Sequence, residues 1–125
     1  MNPTPRRQLG TRGEDQARRY LEDQGYQLLA ANWHCAAGEL DLVMRDGAEI
    51  AFIEVKTRRG EAAGRAEEAI SAAQGRRLLA AAEWFLSEHP ELDDLIWRID
   101  LVAITLAGPD AGSRLTHVTN AVVAG

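Results

Sequence analysis

Lysine is almost missing from this chain: of fourteen basic residues thirteen are arginine, and Lys56 stands alone. A compact, tunable point charge kept against that drift draws attention to its position. Cysteine is equally scarce. Cys35 has no second thiol to meet, which excludes an intrachain disulfide and a multi-cysteine zinc site. No apolar run approaches the roughly 20 residues of a membrane span. Arg6 and Arg7 have no apolar stretch behind them, so a secretory signal is not expected and the expected location is the cytoplasm. Surplus positive charge is missing too. The net charge of −5 argues against a protein that coats nucleic acid by charge alone. Its distribution is uneven, because residues 1–77 balance to zero while residues 78–125 carry the whole deficit. A phosphate-facing surface is therefore expected from the first two thirds of the chain, with most of its arginines on solvated helix faces.

The 125 residues suit one domain with a real core. Residues 1–7, with two prolines and no apolar anchor, read as a disordered arm, and 8–125 as a single domain. A helix is expected from Gln8 to Gln24, with Gly25 as its C-terminal cap. Short strands follow over 26–33 and 40–44. Asp46-Gly47 between apolar runs signals a hairpin into a third strand, 49–57. Ile50 to Ile53 is apolar on both faces, which marks that strand as central. A loop over 58–64 leads to a long helix over 66–88. A fourth strand lies within 95–106, and an edge strand over 115–123 closes the chain. The order α-β-β-β-α-β-β predicts an α/β fold, a mixed central sheet flanked by helices.

The hairpin gathers the chemistry. An even loop that sets Arg45 opposite Ala48 brings Asp41 across from Phe52 and Glu39 across from Glu54. Opposite and alternate residues share a face, so Glu39, Asp41, Glu54 and Lys56 would point one way, with Asp41 and Glu54 diagonal neighbours. Three carboxylates beside an apolar strand call for protonation or a cation. Oxygen donors with room for water suit Mg²⁺ or Mn²⁺. Lys56 could orient a water or stabilise charge building on a phosphate. The plain alternative is a surface hairpin with salt-bridged charges, since Glu-x-Lys alone says little. His34 and Cys35, adjacent in a strand, point apart and would not chelate together. His89 and His117 read as structural, Trp33 as the tryptophan placed to stack on a base, and Arg98 and Asp100 as a same-face pair.

Gly13-Glu14, Gly38-Glu39-Leu40-Asp41-Leu42-Val43 and Phe52-Ile53-Glu54-Val55-Lys56-Thr57-Arg58 resemble the YraN family of bacterial proteins. So do Ala69-Ile70-Ser71, Arg76-Arg77-Leu78, Arg98 to Val102 and His117 to Ala121, and together these run from about Gly10 to Val122. That family resembles the restriction-endonuclease-like PD-(D/E)xK nucleases, and in pattern the archaeal Holliday junction resolvases. The resemblance implies a restriction-endonuclease-like fold and a Mg²⁺- or Mn²⁺-dependent DNA endonuclease acting on branched or structured DNA. It implies Asp41, Glu54 and Lys56 as catalytic residues and Asp41, Glu54 and Glu14 as metal ligands. Leu40 replaces the superfamily's proline, Glu39 is an additional acid, and Gln74 stands where relatives carry lysine. Glu39 and Gln74 are read as supporting groups around the ligands. Arg12, Arg58, Arg59, Arg76 and Arg77 are the expected phosphate contacts. DNA is the expected partner, with a homodimer suited to two-strand cleavage. The rival functions are a non-catalytic nucleic-acid-binding module on the same fold, and a protein-interaction adaptor using the acidic stretch from Glu88 to Asp94.

Overall fold

The computed structural model describes residues 5–59, 70–106 and 112–122, apart from the side chains of residues 5–11 and 59. Helix α1 spans Pro5–Asp23, and strands β1 (Gln27–Cys35), β2 (Gly38–Asp46) and β3 (Glu49–Arg59) follow. Helix α2 spans Ala72–Ser87, a short 3₁₀ turn Pro90–Leu92 follows, and strands β4 (Ile96–Leu106) and β5 (Ser113–Val122) complete the chain. The expected order α-β-β-β-α-β-β is the order found. The strands form one sheet in the order β1-β2-β3-β4-β5. Strand β3 is central, as its two apolar faces require. It runs parallel to β4, whereas every other neighbouring pair is antiparallel. A parallel pair needs a long crossover, and the segment containing α2 provides it.

Several boundaries differ from expectation for identifiable reasons. Helix α1 starts at Pro5 rather than Gln8, with a proline at its first position, where no intrahelical N–H is needed. The remainder of the expected arm, residues 1–4, lies outside the described residues. The helix ends at Gly25 as expected: its φ is 96°. Tyr26 N donates to Leu21 O at 2.9 Å and Gly25 N to Glu22 O at 3.0 Å, the paired bonds of a Schellman stop. Helix α2 starts at Ala72, not Ala66, because Ser71 caps it. Its Oγ accepts from Gln74 N at 3.1 Å, and its ψ of 162° is extended. The 60–64 part of the expected loop and 66–69 of the expected helix lie outside the described residues.

The sheet carries a core on each face. Ala17 and Leu21 of α1 pack on Leu42, Met44, Ala51, Ile53, Val102 and Ile104. Leu78, Ala81, Ala82 and Phe85 of α2 pack on Leu40, Val43, Ile50, Phe52 and Ile99. Each large side chain so buried stabilises the fold by about 1.5–3 kcal/mol before entropy is counted. Helix α1 lies unusually close to β3, since a Cβ at Gly13 would run into Thr57 Oγ1. This close approach sets the depth at which the neighbouring Glu14 meets the sheet.

A buried charge joins β4 to its neighbours. The β4–β5 register slips between Ile99↔Val122 and Leu101↔Val118, and Asn120 in the slipped stretch has a φ of 53°. Asp100, 0% exposed, fills the irregularity. It accepts from Arg98 Nε at 3.1 Å on both oxygens and from Asn120 N at 3.1 Å, and bonds His117 Nε2 at 2.8 Å. Arg98 and Asp100 therefore pair as the sequence suggested, and His117 is structural. Arg98 also reaches Glu49 and donates to Tyr26 Oη at 2.7 Å, which ties β4 to the starts of β3 and β1. Burial pushes the Asp100 carboxyl up, but the bonds from His117 and Asn120 and the Arg98 charge together outweigh it and hold it below its ordinary value.

Two outcomes follow for stability. Asp100→Ala leaves Arg98 short of its best partner and should cost about 3–5 kcal/mol, read from urea unfolding. Because the folded carboxyl titrates low, its stabilisation is present above the ordinary carboxylate range and lost as pH falls through the depressed value. Asp100→Asn should flatten that acid limb. Gly13→Ala gains about 1 kcal/mol of helix propensity, but it overpacks against a β-branched side chain at a cost of about 1–3 kcal/mol. Calorimetry should show a net lower melting temperature.

Candidate metal centre

The site forms where two strands part. The β2–β3 ladder runs from Asp46↔Glu49 to Leu42↔Ile53 and stops. Continuing it would set Asp41 opposite Glu54. Instead the Asp41 side chain occupies the ladder donor: Val55 N donates to Asp41 Oδ2 at 2.8 Å. The expected register, Arg45 opposite Ala48 and Asp41 opposite Phe52, is corrected by two residues. The turn is Gly47-Ala48, with Gly47 at φ 60°, so that glycine rather than Asp46 takes the first central position. A two-residue shift preserves parity. Continued one step past its last pair, that register would set Asp41 opposite rather than diagonal to Glu54.

Parity does not survive past Asp41, and this corrects the expectation of one shared face. Leu40 and Val43 would lie on opposite faces of a regular strand, yet both join the α2-side cluster. Strand β2 therefore changes face around Asp41. Glu39, beyond the change, sits at the exposed rim and pairs with His34 Nδ1 at 3.2 Å. Glu54 keeps the face of Ile50 and Phe52 and turns toward α2. Its Oε1 accepts from Gln74 Nε2 at 3.0 Å and lies 3.6 Å from Lys56 Nζ. Ser71 holds the first turn of α2, and with it Gln74, at this distance.

Among the described residues, each of these hydrogen bonds uses one carboxylate oxygen. Asp41 is held through Oδ2 and Glu54 through Oε1. Glu54 is only 8% exposed, and burial, then the Asp41 charge, push its carboxyl up to about 7 against the pull of Lys56. Burial also raises Asp41, partly offset by the Val55 N–H, with the Glu39 charge adding to the rise. Glu14 on α1 is raised by burial and next by Asp41, partly offset by the nearby polar Asn32 side chain. Three acids are thus held close together with Lys56 as the cation acting on two of them. Among the described residues, no group of three or more His, Cys, Asp or Glu side chains is arranged to hold an ion. Glu14 stands beside the Asp41–Glu54 pair without completing such a set.

The arginines expected to contact phosphate differ in exposure. Arg12 on α1 and Arg76 and Arg77 on α2 are exposed, Arg58 on β3 is half-buried, and the Arg59 side chain lies outside the described residues. A groove of about 830 Å³ along α1 and β5, lined by Arg12, Arg19, Tyr20 and Leu115 among others, includes none of the site carboxylates. Trp33 is engaged in the core, edge-on to Phe85 at 5.3 Å. Asn32 was not legible as a site residue. Its only signal was an asparagine within an otherwise strand-like stretch, the residue type most tolerant of left-handed backbone after glycine.

The family model described as "Uncharacterised protein family UPF0102" matches residues 13–104, a span that holds Glu14, Asp41, Glu54, Lys56 and Gln74. A UPF0102 protein of Roseiflexus castenholzii is 43% identical over 117 residues, covering 94% of this chain and 94% of its own. One from Chloroflexus aurantiacus is 46% identical over 106 residues, covering 85% and 86%. One from Geobacter sulfurreducens is 42% identical over 113 residues, covering 90% and 87%.

Glu54 makes a testable trade between stability and site chemistry. Its folded carboxyl is raised, so folding is favoured while it is protonated, and stability falls as pH rises from 4.5 to about 7. The shift corresponds to roughly 3 kcal/mol. Glu54→Gln should raise the melting temperature of the metal-free protein above neutral pH and leave it nearly unchanged in mild acid. Equal effects at both pH values would contradict the electrostatic origin.

Proposed function

The chain belongs to the uncharacterised protein family UPF0102, and on that footing we propose that it is a metal-dependent endonuclease that hydrolyses phosphodiester bonds in branched or structured DNA in the cytoplasm. The observation that carries this reading is the Asp41–Glu54 pair at the strand fork, Glu54 buried and Asp41 half-buried, the two repelling, with Lys56 alongside. A structural role gives no reason to crowd two carboxyls that burial already raises. A divalent cation does.

The donor chemistry fits such an ion. Mg²⁺ keeps several waters and is usually held through one or two carboxylates together with substrate phosphate, so a closed three-ligand cage is not required. Asp41 and Glu54 would hold it, with Glu14 acting at the edge. When bound, Mg²⁺ or Mn²⁺ supplies charge that polarises the phosphate and acidifies a water. The remaining tasks belong to side chains. Lys56 Nζ, a point charge with three donors, orients the attacking water or stabilises charge on the phosphate. Gln74 keeps Glu54 turned toward the fork. Arg12, Arg58, Arg59, Arg76 and Arg77 hold the backbone of the DNA, which fixes its register without reading its sequence. A homodimer would present two such sites to two strands.

A second reading, a DNA-binding module without catalysis, is favoured by one feature: the contact on Glu54 from α2 is a neutral amide rather than a cation. Cleavage assays separate the two. Branched, single-stranded and duplex DNA are incubated with Mg²⁺ or Mn²⁺, with chelator as control. The expected outcome is cleavage of branched DNA lost on Lys56→Ala or Asp41→Asn. Binding without cleavage under every condition favours the module. Cleavage that persists in Lys56→Ala sinks the assignment of that residue. Because Glu54 must lose its proton to take a cation, Mn²⁺ affinity should rise as pH passes through about 7 and level off above it. Calorimetry at a pH series checks this.

A further inference from the structure

His34 stands at the rim of the fork with its ring already oriented. Strand β1 changes face at Asn32, whose φ of 51° is left-handed and uncommon inside a strand. Ala30 and Trp33, three residues apart, therefore pack against the same α2-side cluster, and Cys35 joins them. The change turns His34, between Trp33 and Cys35, to the opposite face of the sheet, the one on which α1 lies. Glu39 pairs with His34 in the β1–β2 ladder and lies beside Leu40, which packs on the α2 side, so Glu39 takes the α1 face as well. There its Oε2 lies 3.2 Å from His34 Nδ1. The imidazole is thereby tied to the strand that carries Asp41, two residues along from Glu39.

We propose that His34 is a further catalytic residue of this site, the general acid that protonates the leaving oxygen of the DNA, and that Glu39 positions it. This rests on the reading of Asp41, Glu54 and Lys56 as a nuclease centre and goes beyond it. Hydrolysis of a phosphodiester releases an alkoxide that needs a proton. Asp41 and Glu54 hold a cation only as carboxylates, which have no proton to give. Lys56 serves the attacking water or the phosphate charge. Histidine exchanges protons near neutral pH, and its imidazolium carries one on each ring nitrogen. With Nδ1 directed at Glu39, Nε2 presents the other. In the reaction the water oxygen bonds to phosphorus as the bond from phosphorus to the leaving oxygen breaks. The Nε2 proton passes to that oxygen, which departs as an alcohol. The proton lost by the water goes to solvent, and solvent returns one to the imidazole. Stability does not account for the pair, because an ion pair with its side chains 67% and 64% exposed adds little to folding.

Bridging phosphorothiolate DNA tests this role, with sulfur in place of the leaving oxygen on the 3′ or the 5′ side so that both polarities are covered. A thiolate departs without a proton. Rates are measured at saturating DNA and Mn²⁺, so that binding is not read. His34→Ala should slow cleavage of ordinary branched DNA about a hundredfold and cleave the sulfur substrate at close to the wild-type rate. Glu39→Ala should show a smaller loss of the same kind. The double variant should be no slower than His34→Ala, because both changes act on one proton transfer. Both side chains are exposed, so the variants should keep the wild-type melting temperature. A wild-type rate for His34→Ala on ordinary DNA would overturn the proposal while the nuclease centre stands. Equal losses on the oxygen and sulfur substrates would overturn it as well, since the ring would then only hold the DNA. A double variant slower than His34→Ala would overturn the role given to Glu39. A wild-type protein that cleaves neither substrate would sink the nuclease reading itself, and the role of His34 with it.

Discussion

The bond from Val55 N to Asp41 Oδ2 is the contact on which the candidate site depends. A strand ladder normally consumes each backbone donor with a backbone acceptor. Here a side chain takes the donor, so β2 can leave β3 without stranding a buried N–H. The departure opens a fork in the middle of an otherwise continuous sheet. Glu54 remains on β3 and Asp41 on the diverging strand, each satisfied through one oxygen. Helix α1 reaches the fork through the close contact at Gly13, and α2 reaches it through Ser71 and Gln74.

Charge is handled in two opposite ways in this small fold. At Asp100 a fully buried carboxylate is surrounded by donors from Arg98, His117 and Asn120, and the ionised form is favoured. The result is a structural tie that lets β5 slip its register against β4. At Glu54 a similarly buried carboxylate meets an amide, a more distant ammonium and a second carboxylate, and the ionised form is disfavoured. One set of partners is complete and the other is not. The proposed cation would supply the compensation that is missing at Glu54.

The elements around the fork explain why it can be rigid. Apolar clusters on both faces of the sheet clamp β2 and β3 just before they part, through Leu42, Ile53, Val43 and Phe52. The carboxylates therefore project from the ends of a fixed hairpin rather than from a loop. Sites carried on such elements hold their geometry better than those on connections.

Much of this was legible in the amino-acid order. Alternation and the run Ile50 to Ile53 identified β3 as central, Gly25 marked the stop of α1, and Asp46-Gly47 marked the hairpin, because each depends on local sterics and hydrophobic period. Parity placed Glu54 and Lys56 on one face of β3 because it is a local property, but it failed for Glu39 where β2 changes face. Three features required tertiary structure. The turn settled on Gly47-Ala48, a choice between two glycine-compatible turns that local sequence leaves open, and this shifted the register so that Asp41 and Glu54 meet where the ladder ends. The change of face at Asp41 and Asn32 arises from backbone departures in two strands facing each other, which no single-strand period contains. The contact of Gln74 with Glu54 joins residues far apart in the chain. The sequence by itself determined which charges the domain holds and which strands carry them. Packing of both helices onto a sheet that forks decided which of those charges meet, because a meeting between distant segments is set by their shared neighbours and not by either segment alone.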